Sequence, residues 1–211
     1  MEILKRLAED LRLGEDDAVR AGTQEALDFG LAAGDVLRDG LLAGMAVVGE
    51  EFGRREIFLP DVLLAARAMQ AGMEVLKPRL ARDGAPSAGR VVLGTVQGDL
   101  HDIGKNLVGI LLRGAGFEVI DLGTDVPAAR FVDAAIEAGA GVVGLSALLT
   151  TTMPRMAEVV ALVHERGLDG RLKVVVGGAP VTREFADGIG ADGWGFDAES
   201  AVRRVKELIA R

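Results

Sequence analysis

The second half of the chain alternates short apolar runs with amphipathic segments, and this alternation limits the possible folds more than any other feature. The runs are rich in Val and Leu, which predicts parallel strands covered on both faces. Five strand and helix pairs in about 120 residues predict an α/β fold with a doubly wound, flavodoxin-like parallel sheet. The expected strands are 91–96, 118–122, 142–145, 174–176 and 193–196, and the expected helices lie near 104–114, 128–138, 153–166, 181–188 and 198–210.

Residues 1 to about 83 show helical patterns only. Apolar residues recur at intervals of three and four between Val62 and Leu80, and Pro60 is a favoured first-turn residue, so a helix is expected from residue 60. With three earlier helices, this predicts a four-helix bundle. The earlier helices are expected at 3–13, 16–33 and 35–52, with breaks at Gly14, Gly34 and Gly53.

A short stretch of small and polar residues, 83–89, separates the two patterns. Such a composition is typical of a linker. We therefore expect a helical-bundle domain at 1–86 and a Rossmann-like domain at 87–211, with a hinge at 84–89.

Composition excludes several classes of function. The chain has 24 Lys and Arg against 32 Asp and Glu, a net charge of −8, and both halves are acidic, which disfavours a nucleic-acid partner. It has no cysteine, so disulfides, thiolate metal sites and thiol nucleophiles are excluded. Residues 1–13 mix charged and apolar residues, which predicts neither a signal peptide nor a membrane span, and we expect a cytoplasmic protein.

Residues 139–144 spell a Gly-x-Gly-x-x-Gly pattern that superficially suggests dinucleotide binding. Phosphate binding requires the order strand, turn, helix, whereas these glycines end a predicted helix and enter a predicted strand. The sequence therefore does not favour NAD or FAD.

The segment Asp99-Leu100-His101-Asp102-Ile103-Gly104 lies between the first predicted strand and the helix that follows it. This is where an open α/β sheet binds ligands. Imidazole suits borderline metals, and Asp99 is placed to accept a hydrogen bond from the other ring nitrogen of His101. Taken alone, a histidine beside an aspartate in a loop is more often a solvated or capping group.

Two further elements follow this Asp-x-His-x-x-Gly segment. Forty-one residues separate Gly104 from Ser146-Ala147-Leu148, and twenty-eight separate Leu148 from Gly177-Gly178. In kind, order and spacing, the three elements resemble the cobalamin-binding domain of methionine synthase, the B12 mutases and the corrinoid methyl-carrier proteins.

The resemblance implies that His101 is the lower axial ligand of cobalt, replacing dimethylbenzimidazole in the base-off, His-on arrangement. Asp99 is then its hydrogen-bonding partner. Thr152 stands where the family has the serine of the same relay and still supplies a hydroxyl. Its alternative role is the N-cap of the helix at 153–166.

The resemblance also implies which residues line the cofactor site. Gly104 would leave room for the displaced nucleotide tail, since a side chain there would obstruct it. Gly177 and Gly178 would make room for the far end of the tail, although a Gly-Gly pair after a strand is also an ordinary turn. The full set is Gly98, Asp99, His101, Asp102, Gly104, Ser146, Leu148, Thr150, Gly177 and Gly178.

Residues 45–62 resemble the helical cap that covers the upper face of the corrin in methionine synthase. On this resemblance Phe52, Leu59 and Val62 shield the methyl-bearing side of cobalt, with Phe58 nearby. The alternative is that all four are bundle core, the usual position of apolar residues at such spacing.

The resemblance covers nearly the whole chain and implies a corrinoid carrier that has no independent turnover. It carries a methyl group between a substrate-specific methyltransferase and a second methyltransferase acting on a thiol or tetrahydrofolate, and a reductive activase is a possible further partner. The partner recognises the donor, whether methanol, a methylamine, a betaine or an aryl methyl ether. The alternatives are a B12-dependent sensor or storage protein and a degenerate domain that binds nothing.

Overall fold

The computed structural model describes residues 2–83 and 87–210. The chain forms two compact units, one built from residues up to 87 together with 114–116, and the other from 88–113 and from 117 onward. Residues 84–86 of the predicted hinge lie outside the described residues.

The first unit is helical, as predicted. A π-helical stretch, Leu37–Leu42, joins its third and fourth helices. The first helix packs against the second and fourth, and the long last helix packs against the second and fourth. The helices are α1 (Glu2–Arg12), α2 (Asp16–Asp28), α3 (Ala33–Val36), α4 (Ala43–Gly53) and α5 (Leu59–Asp83).

Two predicted boundaries in this unit were wrong. The second helix ends at Asp28 rather than at residue 33, because Gly30 adopts a left-handed conformation with φ of +93° and the amide of Leu31 closes the end on the carbonyl of Ala26. Gly34 does not break the chain but lies inside α3, since a helix tolerates an isolated glycine at modest cost.

The second unit contains the predicted parallel sheet. Its strand order is β2-β1-β3-β4-β5, the flavodoxin-like order, with helices between successive strands. The strands are β1 (Arg90–Thr95), β2 (Glu118–Asp121), β3 (Val142–Ser146), β4 (Lys173–Gly177) and β5 (Gly193–Gly195), and the helices are α6 (Ile103–Gly114), α7 (Ala128–Ala138), α8 (Pro154–Glu165), α9 (Arg183–Gly188) and α10 (Ala198–Ile209).

The central strands carry the core of this unit. The Val and Leu side chains of β1, β3 and β4 are buried, together with Phe131 of α7. Gly139 ends α7 in a left-handed conformation, and the chain enters β3 three residues later. The dinucleotide pattern at 139–144 is therefore a helix end, as its position predicted.

The topology defines where a ligand site is expected. The chain reverses its direction of winding at β1, which has β2 on one side and β3 on the other. The carboxyl ends of β1, β3 and β4 are aligned, because Thr95 pairs with Ser146 and Ser146 pairs with Gly177. Ligands of open α/β sheets bind at this edge.

None of the helices described at 2–83 and 87–210 has the length and apolar character needed to cross a membrane.

Candidate functional site

The three sequence elements meet at the carboxyl edge of the sheet. Asp99 to Gly104 follow β1 and open α6, Ser146 ends β3, and Gly177 ends β4. Elements separated by dozens of residues in the chain are thus adjacent in the fold.

Asp99 is the centre of this arrangement. Its side chain is fully buried, and its carboxylate accepts five hydrogen bonds. Oδ1 accepts from the backbone amide of His101 at 3.1 Å and bonds Nδ1 of His101 at 2.7 Å. Oδ2 accepts from the amides of Leu148 at 2.8 Å and Leu149 at 3.2 Å, and from Oγ1 of Thr152 at 2.8 Å.

These donors keep Asp99 ionised. Burial by itself would raise the pKa of the carboxyl, but the hydrogen bonds from Leu148, His101 and Thr152 outweigh burial and hold the pKa well below its usual range. The site therefore contains a permanent carboxylate with donors on both oxygens.

The tautomer of His101 follows from this carboxylate. A carboxylate can only accept, so the proton between Asp99 and His101 belongs to Nδ1. In the neutral ring Nε2 is then the nitrogen with the lone pair, and it makes no hydrogen bond within the part of the chain that the structure describes. Because the side chain is 52% exposed, the ring can bind a ligand through Nε2.

Further bonds hold the loop that carries this pair. The buried hydroxyl of Thr95 donates to the carbonyl of His101 at 2.8 Å, and the side-chain amide of Asn106 donates to the carboxylate of Asp102 at 3.0 Å. Asp102 is thus bonded to the first turn of α6, where it fixes the end of the loop. Sequence reasoning did not identify Thr95 or Asn106.

Lys105 was also missed. Its side chain is only 2% exposed, and Nζ lies 2.6 Å from both carboxylate oxygens of Asp121, at the end of β2, and 2.7 Å from Oδ1 of Asn106. A buried lysine paired in this way ties the start of α6 to β2. Its position directly after Gly104 was visible in the sequence, but its partner comes from a different strand and was not.

The hydrogen bonds of Thr152 bear on its two predicted roles. The N-cap of α8 is Met153, with no side-chain cap, so Thr152 does not cap that helix. Its hydroxyl instead reaches Oδ2 of Asp99 and also lies 2.9 Å from the carbonyl of Leu149. Asp99, His101 and Thr152 therefore form one connected group.

The predicted lining residues on β1 and β3 lie around this group. A Cβ built on Gly104 meets nothing within 4 Å, so the space above the first turn of α6 is open. Leu148 and Thr150 are exposed and Ser146 is half-buried. Gly98 is exposed, with φ of +83°, and a Cβ built there would lie 3.5 Å from the methyl group of Thr152.

Gly177 and Gly178 have a structural explanation of their own. Gly178 has φ of +125°, and a Cβ there would lie 1.9 Å from the carbonyl oxygen of Ala147. A Cβ on Gly177 would lie 3.1 Å from the carbonyl oxygen of Gly195. The approach of Ala147 therefore requires glycine at position 178 whether or not a ligand is bound, whereas a Cβ at position 177 would need Gly195 to shift by a few tenths of an ångström.

The four residues predicted to cap the cofactor differ in exposure. Val62 is fully buried, Phe52 is half-buried, and Leu59 and Phe58 are exposed, by 36% and 67%. Burial suits the alternative of a core role for Val62, whereas Leu59 and Phe58 present apolar surface to solvent.

These residues fit a planar cobalt cofactor. In its neutral form His101 offers Nε2 as a donor suited to cobalt, and the buried Asp99 fixes the orientation of the ring. Large apolar side chains flank it, with Leu100 73% and Ile103 75% exposed. Gly104 leaves the adjoining space open.

Comparison with known proteins identifies the class. Two family models, each described as a B12 binding domain, match residues 3–77 and 89–203. The chain therefore belongs to the B12-binding proteins, and cobalamin is its cofactor.

Full-length relatives place it more narrowly. The chain is 46% identical to dimethylamine corrinoid protein 1 of Methanosarcina acetivorans, over 99% of this chain and 98% of that protein. It is 43% identical to a corrinoid protein of Desulfitobacterium hafniense over 100% and 99%. Among solved structures, the methanol:cobalamin methyltransferase complex MtaBC of Methanosarcina barkeri matches with a TM-score of 0.89 and 35% identity, covering 99% of this chain and 80% of that one. The chain is a member of the corrinoid proteins of methyltransferase systems.

Proposed function

We propose that this protein is a methyl carrier that binds cobalamin in the base-off, His-on form, with Nε2 of His101 as the lower ligand. The observation that carries the proposal is the Asp99 and His101 pair. The buried carboxylate fixes the proton on Nδ1, so the half-exposed ring, when neutral, has its lone pair on Nε2.

When bound, cobalamin would supply the cobalt chemistry for accepting and releasing a methyl group, with Co(I) as the state that accepts it. The protein sets the ligation and the access to the cobalt atom. His101 supplies the ligand, and Asp99 stabilises a proton-sharing, more basic imidazole. Thr152 donates to the far oxygen of Asp99 and so completes the relay.

The carrier role requires two partners. The relatives named for dimethylamine and for methanol systems support a substrate-specific methyltransferase that loads the protein. Their chemistry favours a small methylated amine or alcohol as donor, recognised by that partner. We propose a second methyltransferase that removes the methyl group to a thiol or tetrahydrofolate, and a reductive activase that restores Co(I).

The test of His-on binding uses protein labelled with ¹⁵N-histidine and reconstituted with cobalamin. Electron paramagnetic resonance of the Co(II) form is expected to show splitting from a ¹⁵N nucleus, because the axial nitrogen comes from the protein. Splitting from ¹⁴N alone would contradict the proposal, since the axial nitrogen would then be that of the dimethylbenzimidazole. Retention of Co(II) protein that never accepts a methyl group from any partner would favour the alternative of a sensor or storage protein.

We further propose that the exposed side chains Leu59 and Phe58, with Phe52, shield the upper face of the cofactor. Replacing Leu59 with Ala is expected to speed photolysis of the methylated protein, because an escaping methyl radical is less confined. Leu59 is 36% exposed, so thermal stability changes little.

The matched control is Leu64→Ala. Leu64 lies on the same helix, is similarly exposed at 42%, and is placed against Gly14 instead. Equal photolysis rates in the Leu59 variant and the wild type would contradict the shielding role.

A further inference from the structure

Asp125 has an unusual backbone conformation close to the site. Its φ is +56°, and it is one of two non-glycine residues with positive φ among the residues the structure describes. Asp and Asn enter this left-handed region more readily than other side chains, but the conformation still costs energy and persists only where surrounding contacts impose it.

The contacts of Asp125 enclose Asp99 from both sides along the chain. Oδ1 of Asp125 accepts from the backbone amide of Gly98 at 2.7 Å. The backbone amide of Asp125 donates to the carbonyl of Asp99 at 3.0 Å. One residue therefore bonds the peptide groups before and after the carboxylate that orients His101.

The segment that carries Asp125 is itself fixed to β1. The amide of Val126 donates to the carbonyl of Thr95, and the amide of Thr95 donates to the carbonyl of Gly123. These bonds place residue 125 beside the loop after β1, and the left-handed turn there directs both its amide and its carboxylate toward Gly98 and Asp99.

The loop needs such a support. Gly98 also has positive φ, +83°, and is exposed, so its own conformation is not fixed by packing. A rotation of the peptide between Gly98 and Asp99 would move Oδ1 of Asp99 away from Nδ1 of His101.

We propose that Asp125 is a positioning residue that holds the Gly98 and Asp99 backbone so that Asp99 keeps His101 in the tautomer and orientation that ligate cobalt. This inference rests on the proposed ligand role of His101. Among the described residues, Asp125 bonds Gly98 and Asp99 and makes no hydrogen bond to His101.

Three substitutions separate the hydrogen bond from the backbone conformation and from the charge. Asp125→Asn keeps an acceptor oxygen and the tolerance of positive φ, but removes the charge. Asp125→Gly accepts the conformation but removes the acceptor, and Asp125→Ala removes the acceptor and disfavours the conformation.

The first measurement is made without cofactor. Amide hydrogen exchange at Gly98 and His101 is expected to accelerate in the Gly and Ala variants and to stay near the wild-type rate in the Asn variant. The second is cobalamin affinity, followed by absorbance. Affinity is expected to fall by about tenfold in the Gly and Ala variants, the lower end of what loss of an outer partner typically costs. The third is the proportion of Co(II) protein with a histidine nitrogen on cobalt, which is expected to fall in parallel.

Asp192→Ala is the matched control. Asp192 also accepts a backbone amide, that of Val174 at 2.9 Å, but at the amino edge of the same sheet. It is expected to lower stability without changing exchange at Gly98 or cobalamin affinity.

The outcomes distinguish this inference from the function it rests on. Wild-type affinity and His-on content in Asp125→Gly would overturn the positioning role, and so would an equal loss in Asp125→Asn, since charge rather than the bond would then matter. If wild-type protein shows no histidine nitrogen on cobalt, the proposed function fails whatever the Asp125 variants do. Unchanged exchange at Gly98 in all three variants would overturn the positioning role alone.

Discussion

Each of the two edges of the sheet holds a carboxylate that accepts backbone amide hydrogen bonds. The two carboxylates differ in the side chain with which they pair. At the amino edge, Asp192 accepts the amide of Val174 and pairs with Nζ of Lys173 at 2.7 Å. At the carboxyl edge, Asp99 accepts three amides and a hydroxyl and pairs with the imidazole of His101.

The difference lies in what the paired group can still do. The ammonium of Lys173 has donors only, so after pairing with Asp192 it offers nothing to a metal. The imidazole of His101 bonds Asp99 through Nδ1 and leaves Nε2 available to a ligand, and half of the side chain is exposed. Asp99 is also completely buried, whereas Asp192 is 28% exposed. At the amino edge, the paired Lys173 offers no group that can bind a metal. At the carboxyl edge, Asp99 orients an imidazole that can.

Replacing His101 with Ala is expected to have the largest effect, since it removes the group that makes the two edges unlike. Asp99 loses one of its donors, so stability should fall by about 1 to 3 kcal/mol while the fold is kept. The Co(II) form should lose its histidine nitrogen and bind cobalamin more weakly. Circular dichroism during unfolding measures the fold and its stability, and electron paramagnetic resonance measures the axial nitrogen. The same axial nitrogen splitting in variant and wild type would show that His101 is not the ligand.

The same substitution, Asp to Asn, at positions 99 and 192 tests the difference between the two edges of the sheet. An Asn at position 99 turns an NH₂ group toward the donors that Asp99 accepts, so some of them lose their partner. It also removes the negative charge next to the imidazole of His101. We expect cobalamin affinity or methyl-transfer rate to fall by about 10- to 100-fold and the reduction potential to change.

Asp192→Asn is expected to lower stability only, by about 1 kcal/mol, because its ammonium partner is part-exposed. Titration with cobalamin and thermal unfolding of both variants separate the two expectations. If position 192 affected the cofactor as strongly as position 99, the distinction between the edges would be lost.

The sequence predicted most of the fold because its signals are local. Apolar runs marked all five strands, and the Asp99 and His101 pair was predictable because two residues in one loop can meet without help from the rest of the chain. The boundary errors at Gly30 and Gly34 arose because both are glycines, and only the left-handed conformation of the first ends a helix.

The parts of the site that were missed share a different cause. The groups of Leu148 and Leu149 that donate to Asp99 are backbone amides. Almost every residue has such an amide, so the sequence gives no signal for these two bonds. Lys105 and Asp125 act through β2 and the loop after it, which tertiary structure alone brings near. A positive φ is easier for an aspartate than for most residues, but the contacts of Asp125 decide that it is adopted here.

Among the three residues of the Asp99, His101 and Thr152 group, the smallest effect on cobalamin binding is expected at Thr152, where one donor of Asp99 can be removed while the shape is kept. Thr152→Val deletes the hydroxyl, yet Asp99 keeps its three backbone amides and His101. A hydrogen bond to a charged group is worth about 1.5 to 3 kcal/mol, so stability should fall within that range, and cobalamin affinity should fall less than in Asp99→Asn.

Thr152→Ser is the matched control, because it keeps the hydroxyl and removes only the methyl group. We expect it to restore the reduction potential and methyl-transfer rate that the Val variant changes. If the Ser variant lost these properties while the Val variant kept them, the methyl group and not the hydrogen bond to Asp99 would be the contribution of Thr152. The relay would then end at Asp99, and the contrast between the two edges would depend on His101 and its carboxylate alone.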